Sequence, residues 1–216
     1  MWCIPKLTDE FITRMEDVLT LYEKPYNPDE PVICFDEKSK QLLKDTRAPI
    51  LAKPHRSLKR DYTYKRNGTR NIFMSIEPKG GQREARETAR RTRIDFATEV
   101  NRVIRLPRYR KAKTIHLVAD NLNTHNEKSF IETFGEKKAK RILFRIRFHY
   151  TPKHASWLNM AETELSIIGR QCLKRRIPTK EMLKKEIAIW QRNRNRARAT
   201  INWKFTAKDA RRAFKY

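Results

Sequence analysis

Glycine is scarce in this chain, with five in 216 residues. None lies in a Gly-rich run ahead of a helix, so the backbone cradle that Walker-type and Rossmann-type proteins build for phosphate is absent. Cysteine is scarcer. Cys3, Cys34 and Cys172 are scattered and form no CxxC pair, which leaves neither a zinc finger nor a disulfide framework and fits a reducing compartment. No apolar run approaches the roughly 20 residues that cross a bilayer. The opening "MWCIPKLTDE" carries an acidic pair and no apolar core of the kind a secretion signal has. Acids are also in deficit, with 25 Asp and Glu against 50 Lys and Arg, for a net charge of +25. That imbalance points to a polyanion, because Lys and Arg displace the counterions condensed on nucleic acid. No membrane partner is expected.

The length suits one domain. Apolar residues at Phe11, Met15, Val18 and Tyr22, with Ile12 and Leu19 beside them, predict a helix over 8–24 capped by Thr8 or Asp9. "NPDEP" at 27–31 breaks the chain, and "VICFDE" follows as a strand. Residues 38–60 read as a basic loop. "YTYKRNGTRNIFMSIEP" reads as two extended pieces about a turn at Asn67-Gly68, and Gly80-Gly81 as a second turn. Composition favours a helix over 82–92. Thr92 can cap a helix over 93–105 whose apolar side includes Ile94, Phe96, Ala97, Val100, Val103 and Ile104. "TIHLVAD" is a buried strand, a helix fits 126–134, and the alternation in "RILFRIRFHY" predicts a strand at 142–149. Helices fit 156–173 and 179–195. The order describes an α/β domain with a mixed sheet.

Three acidic positions stand out. Asp36 lies near the end of "VICFDE", on the same face as Val32 and Cys34, with Glu37 opposite. Asp120 closes the apolar strand "TIHLVAD", where α/β sheets place ligands. A charge there must be paired, solvated or metal-bound. Glu162 and Glu164 lie on a helix whose apolar stripe is Leu158, Ala161, Leu165, Ile168 and Cys172. Each sits roughly 80° from the stripe's centre, on opposite flanks, so spacing does not choose between them. Each acid taken singly reads as strand end, turn or solvated surface. Together, in so basic a chain, they suggest a carboxylate cluster for Mg²⁺ or Mn²⁺, the hard cations that clamp a phosphoryl group.

These residues fall into a family pattern. "VICFDE" at 32–37, "YKRNGT" at 64–69, "LVADNLNTH" at 117–125, "YTPKHASWLNMAETE" at 150–164, "RN" at 192–193 and "WKFTAKDAR" at 203–211 resemble the catalytic domain of DDE transposases of bacterial insertion sequences, in the mariner-related group. The resemblance implies a ribonuclease H-like fold, a mixed five-stranded sheet flanked by helices, over 31–216, with a helical arm at 1–30. It replaces the helix at 82–92 by a strand at 82–90 and sets the others at 31–37, 69–77, 114–119 and 142–149. The family's third acid follows a Leu-Asn pair by three residues, which selects Glu162 after Leu158 and Asn159. Met160 and Ala161 stand where many relatives have Pro-Ile. Glu164 is left as a surface or supporting residue.

What the resemblance further implies is a DNA transposase, an endonuclease and strand transferase that acts in DNA integration and recombination. Asp36, Asp120 and Glu162 would hold two Mg²⁺ (or Mn²⁺) ions, Asp36 bridging them. Water attack at a transposon end would free a 3′-hydroxyl, which attacks target DNA, commonly at TA. Lys65, Arg66, Lys153 and His154 are expected DNA contacts. Asn121 and His125 are expected to position the Asp120 loop or to contact phosphate, with a capping or structural role the equal alternative for His125. Trp157 reads as a packing anchor before it reads as a base-stacking platform, and Asn159 is expected in a supporting role. "RYRKAK" at 108–113 and "RNRNRAR" at 192–198 read as basic surface. A homodimer on DNA is expected, in a bacterial cytoplasm and associated with the nucleoid. Relatives carry helix-turn-helix domains ahead of this region, so a separate helix-turn-helix polypeptide is a further expected partner. The alternatives are a remnant that binds DNA without transposing and another nuclease on the same fold.

Overall fold

A computed structural model describes residues 7–216. Five strands form one sheet: β1 (Val32–Asp45), β2 (Tyr64–Glu77), β3 (Gln82–Thr88), β4 (Ile115–Ala119) and β5 (Ile146–Tyr150), in the order β3-β2-β1-β4-β5. β1, β2 and β3 are antiparallel neighbours, whereas β4 runs parallel to β1 and to β5. Helices α1 (Asp9–Glu23), α5 (Met160–Gln171), α6 (Lys180–Arg196) and α7 (Ala207–Phe214) cover one face; α2 (Arg93–Ile104), α3 (Glu127–Phe134) and α4 (Glu136–Leu143) cover the other.

Strand alternation sorts the core. Cys34, Ile72, Met74, Ile76 and Val118 meet α1 and α5 on one face, while Ile33, Phe35, Phe73, Ile115 and Leu117 meet α2 and α3 on the other. α1 starts at the Thr8 cap and buries Phe11, Met15, Val18, Leu19, Leu21 and Tyr22 in the first of these. A fully buried side chain of this size contributes about 1.5–3 kcal/mol. Residues 9–23 of the expected arm are thus built into the core. The edge of β3 is covered by α6: Gln191 accepts from the Ala85 N–H at 2.7 Å, and the Asn195 amide exchanges two bonds with the Arg83 backbone, both 2.9 Å. Pairing of this kind keeps an open edge from recruiting another strand.

Several sequence expectations change. β1 does not end at residue 37 but runs to Asp45, so the start of the expected basic loop is strand. Asn67-Gly68 is no turn. β2 continues through it, and the register slips so that Asn67 and Gly68 oppose Leu42 alone, with Gly68 at φ 87°. This is a bulge, which the Asn-Gly signature mimics because both want a positive φ. Residues 82–88 are strand, as the resemblance implied, despite a helix-forming composition. Tertiary pairing overrides propensity there. α4 occupies the start of the expected 142–149 strand, and α7 was unforeseen. Ile94 is exposed rather than on the apolar side of α2. Tyr109, within the run read as basic surface, is buried with its hydroxyl 3.1 Å from Glu77. No helix among the described residues is long and apolar enough to cross a membrane.

Candidate active site

Sheet register brings the two aspartates together. β1 and β4 pair in parallel at Ile33↔Leu117 and Cys34↔Val118. Two residues further on come Asp36 of β1 and Asp120, the residue after β4, close enough for the charge of Asp120 to be felt at Asp36. Asp36 follows Cys34 on the α5 face, whereas the Asp120 carboxylate, beyond the end of β4, bonds His125, which packs on Phe96 of α2. Asp36 is not at a strand terminus, as expected, but in mid-strand, paired with Met74 on its other side.

The start of α5 is tied to that point of β1. Asn159 is buried; its amide donates to the Phe35 carbonyl at 3.0 Å, and its side-chain oxygen accepts from the Ala161 N–H at 3.1 Å. One side chain caps the helix and hooks it to the residue before Asp36. Tyr22 adds a second tether, donating to the Leu158 carbonyl at 2.7 Å. Glu162 therefore sits in the first turn of α5, near enough to Asp36 for its charge to be felt there. Burial pushes the Asp36 carboxyl up to about 7, and the negative charges of Glu37, Asp120 and Glu162 push the same way, against a 2.7 Å hydrogen bond from the Glu37 N–H. Repulsion of this sort is what a divalent cation relieves.

The donor set is all carboxylate oxygen, which suits Mg²⁺ or Mn²⁺. Among the described residues, no three acidic, histidine or cysteine side chains close a metal cage by themselves. Mg²⁺ is commonly held by one or two carboxylates, with substrate phosphate and water supplying the rest. The three acids fit a cation shared with a phosphodiester.

Glu37, on the opposite face, carries a different load. His125 is 1% exposed, packed against the Phe96 ring with centroids 4.4 Å apart. Its Nδ1 bonds Asp120, and its Nε2 stands 3.0 Å from Glu37 Oε2, near enough for an ion pair though not aligned as a hydrogen bond. Burial lowers the imidazole pKa, but the two carboxylates outweigh burial and hold it at about 9. His125 is an interior cation, so the expected phosphate contact does not match its position; holding the Asp120 loop does. Sequence reasoning passed over Glu37, although its place on the opposite face of β1 was legible.

Glu164 is neither surface nor solvated. It is fully buried, gripped by Arg83 and Arg194. Arg194 thus turns inward out of a run read as basic surface. Trp157 stacks on Trp203 with centroids 6.2 Å and planes 12° apart, and meets the edge of Phe205, which is a packing role. Asn121, Lys153 and His154 are exposed on the loops flanking the acids. Lys65 and Arg66 are exposed on β2 opposite Lys44 and Leu43, roughly 25 Å along the ribbon from Asp36 at about 3.4 Å per residue.

The family described as DDE superfamily endonuclease matches residues 31–184. The chain belongs to this family. Its acid cluster, on β1, after β4 and on α5, lies inside the matched segment. No curated protein matches the chain. Among solved structures, the DDE endonuclease fold seen here resembles the Mos1 mariner paired-end complex with Mn, at 15% identity and TM-score 0.55, over 92% of this chain and 60% of that one. It also resembles a pre-cleavage Mos1 transpososome, at 13% identity and TM-score 0.56, over 92% and 64%. These likenesses establish the ribonuclease H-like fold. The chain spans about 60% of the Mos1 chains' length.

Proposed function

We propose that the protein is the catalytic domain of a DNA transposase, cutting phosphodiesters at transposon ends and joining the freed ends to target DNA. One observation supports this reading: the largely buried Asp36 feels the charges of both Asp120 and Glu162, and no cation among the described residues is paired to Asp36 or Glu162. Asp36 and Asp120 would hold one Mg²⁺ or Mn²⁺, and Asp36 and Glu162 a second. Bound there, such ions lower the pKa of water and offset charge on the pentacoordinate phosphorus.

The chain's own residues supply the rest. Asn159 fixes the helix that presents Glu162. His125 holds Asp120 on its strand end and keeps one Asp120 oxygen occupied. Lys153, His154 and Asn121 flank the acids and meet the phosphate backbone near the scissile bond. Lys65 and Arg66 meet it farther out, along the β1–β2 ribbon. The Mos1 structures are complexes of transposon ends, and by analogy this chain takes transposon DNA, acts as a dimer and joins it commonly at TA. Transposon-end recognition falls to a helix-turn-helix segment outside residues 31–216.

The test is cleavage and strand transfer on supercoiled DNA bearing the element's ends, with Mg²⁺. Asp36→Ala, Asp120→Ala and Glu162→Ala should bind DNA but neither cut nor join. Full activity in all three would overturn the proposal.

A further inference from the structure

We propose that Glu164, Arg83 and Arg194 set the rotational position of α5 and thereby tune the affinity of the acid cluster for divalent cations. The inference rests on the reading of Asp36, Asp120 and Glu162 given above. The apolar stripe of α5, with Met160, Ala161, Leu165 and Ile168 all buried, holds the helix down but is non-directional. Against it alone the helix can roll. A carboxylate about 6 Å from the helix axis moves about 1 Å for each 10° of roll, whereas metal–ligand distances tolerate about 0.2 Å.

The fork on Glu164 removes that freedom. Arg83 donates through Nε to Oε1 at 2.7 Å and through Nη2 to Oε2 at 3.2 Å. Arg194 donates to the same two oxygens at 3.0 and 3.4 Å. Two planar forks on one carboxylate fix its orientation as well as its place. Arg83 is itself immobile: fully buried on β3, it also donates to the Gly81 carbonyl at 3.0 Å and to the Ala199 carbonyl. Gly81 lies at φ +65°, and a Cβ there would come within 2.9 Å of the Arg198 backbone, so the turn beneath Arg83 is closely fitted. α5 is thus locked to β3, to α6 and to the segment after α6.

Burying such charges is a poor route to stability, since apolar residues of similar volume serve as well or better. What they add is direction. Glu164 follows Glu162 by two residues, about 200° around the helix, so the locked side lies opposite the side that faces the aspartates. Asn159 fixes where α5 begins, and Glu164 fixes how far it is turned.

Arg194→Lys keeps the charge, loses the fork and lies where the side chain is 25% exposed, so it tests the idea even where Glu164→Gln fails to fold. The readouts are melting temperature, Mn²⁺ binding by electron paramagnetic resonance, and the Mg²⁺ needed for half-maximal DNA nicking. Below the melting transition, both variants should bind Mn²⁺ roughly 10- to 100-fold more weakly, and nicking should return at higher Mg²⁺. A folded Arg194→Lys with wild-type Mn²⁺ affinity would overturn the inference, since a purely structural role lowers melting alone. Weakened Mn²⁺ binding in the variants, with wild type and variants alike nicking no DNA, would sink the transposase reading and leave the positioning role. Equal Mn²⁺ binding by wild type and Asp36→Asn would sink both.

Discussion

α5 separates two acidic regions that handle charge in opposite ways. On the flank over β1, Asp36 has Asp120 and Glu162 as neighbours, and the one cation there, His125, is spent on Asp120 and Glu37. On the flank over β3, one fully buried carboxylate, Glu164, meets two guanidinium groups. The first region is frustrated and the second over-satisfied. In a protein with twice as many bases as acids, leaving Asp36 and Glu162 without a cation, and Asp120 with only a shared histidine, is the unusual arrangement. On the proposed reading an exogenous cation belongs there, and the paired region holds the helix between them.

Breaking the frustrated side should have the largest effect on chemistry. Losing any of the three acids forfeits several kcal/mol of transition-state stabilisation, a fall in nicking rate on the order of 10³-fold, read by plasmid nicking with DNA binding measured in parallel. Breaking the satisfied side should have the largest effect on folding. Glu164→Ala strands two arginines and should cost about 3–5 kcal/mol, measured by chemical denaturation. Asn159→Ala removes a helix cap and leaves the buried Phe35 carbonyl short of a partner, for about 2 kcal/mol and a nicking defect beyond what stability explains.

Relieving the frustration should stabilise. The Asp36 carboxyl is raised from 3.8 to about 7, so the metal-free folded state pays for ionising it. The sign follows: that cost is absent below pH 4, grows as pH rises toward 7 and then levels. Asp36→Asn should therefore gain about 1–2 kcal/mol in EDTA at pH 8, little at pH 4, and lose nicking. The smallest effect is expected at His125. Its raised value of about 9 gives stability that is full below 6.5 and fades as pH rises through 9. His125→Phe should flatten that alkaline limb in thermal melts.

Much of the fold was legible because periodicity reports burial. α1, α2, α3, α6 and β4 follow their apolar patterns, and the Thr8 and Thr92 caps follow from residue type. β3 was not, since "QREARET" has no apolar alternation; its Arg83 is buried by a partner fifty positions and more away in sequence. Asn67-Gly68 misled because a bulge and a turn ask for the same backbone. At the site, alternation placed Asp36 and Glu37 on opposite faces, and only the family pattern separated Glu162 from Glu164. Helical spacing shows that the two point to different flanks, but which flank meets the aspartates depends on residues of β3 and α6 that no local window contains.

The central claim is that Glu162 completes the acid cluster while Glu164 only positions it. Mg²⁺-dependent nicking and joining by folded Glu162→Gln and Glu164→Gln, titrated from low to high Mg²⁺, tests it most directly. Glu162→Gln should stay inactive at every Mg²⁺ concentration, and Glu164→Gln should recover as Mg²⁺ rises. Activity in Glu162→Gln, with Glu164→Gln dead at saturating Mg²⁺, would contradict the account.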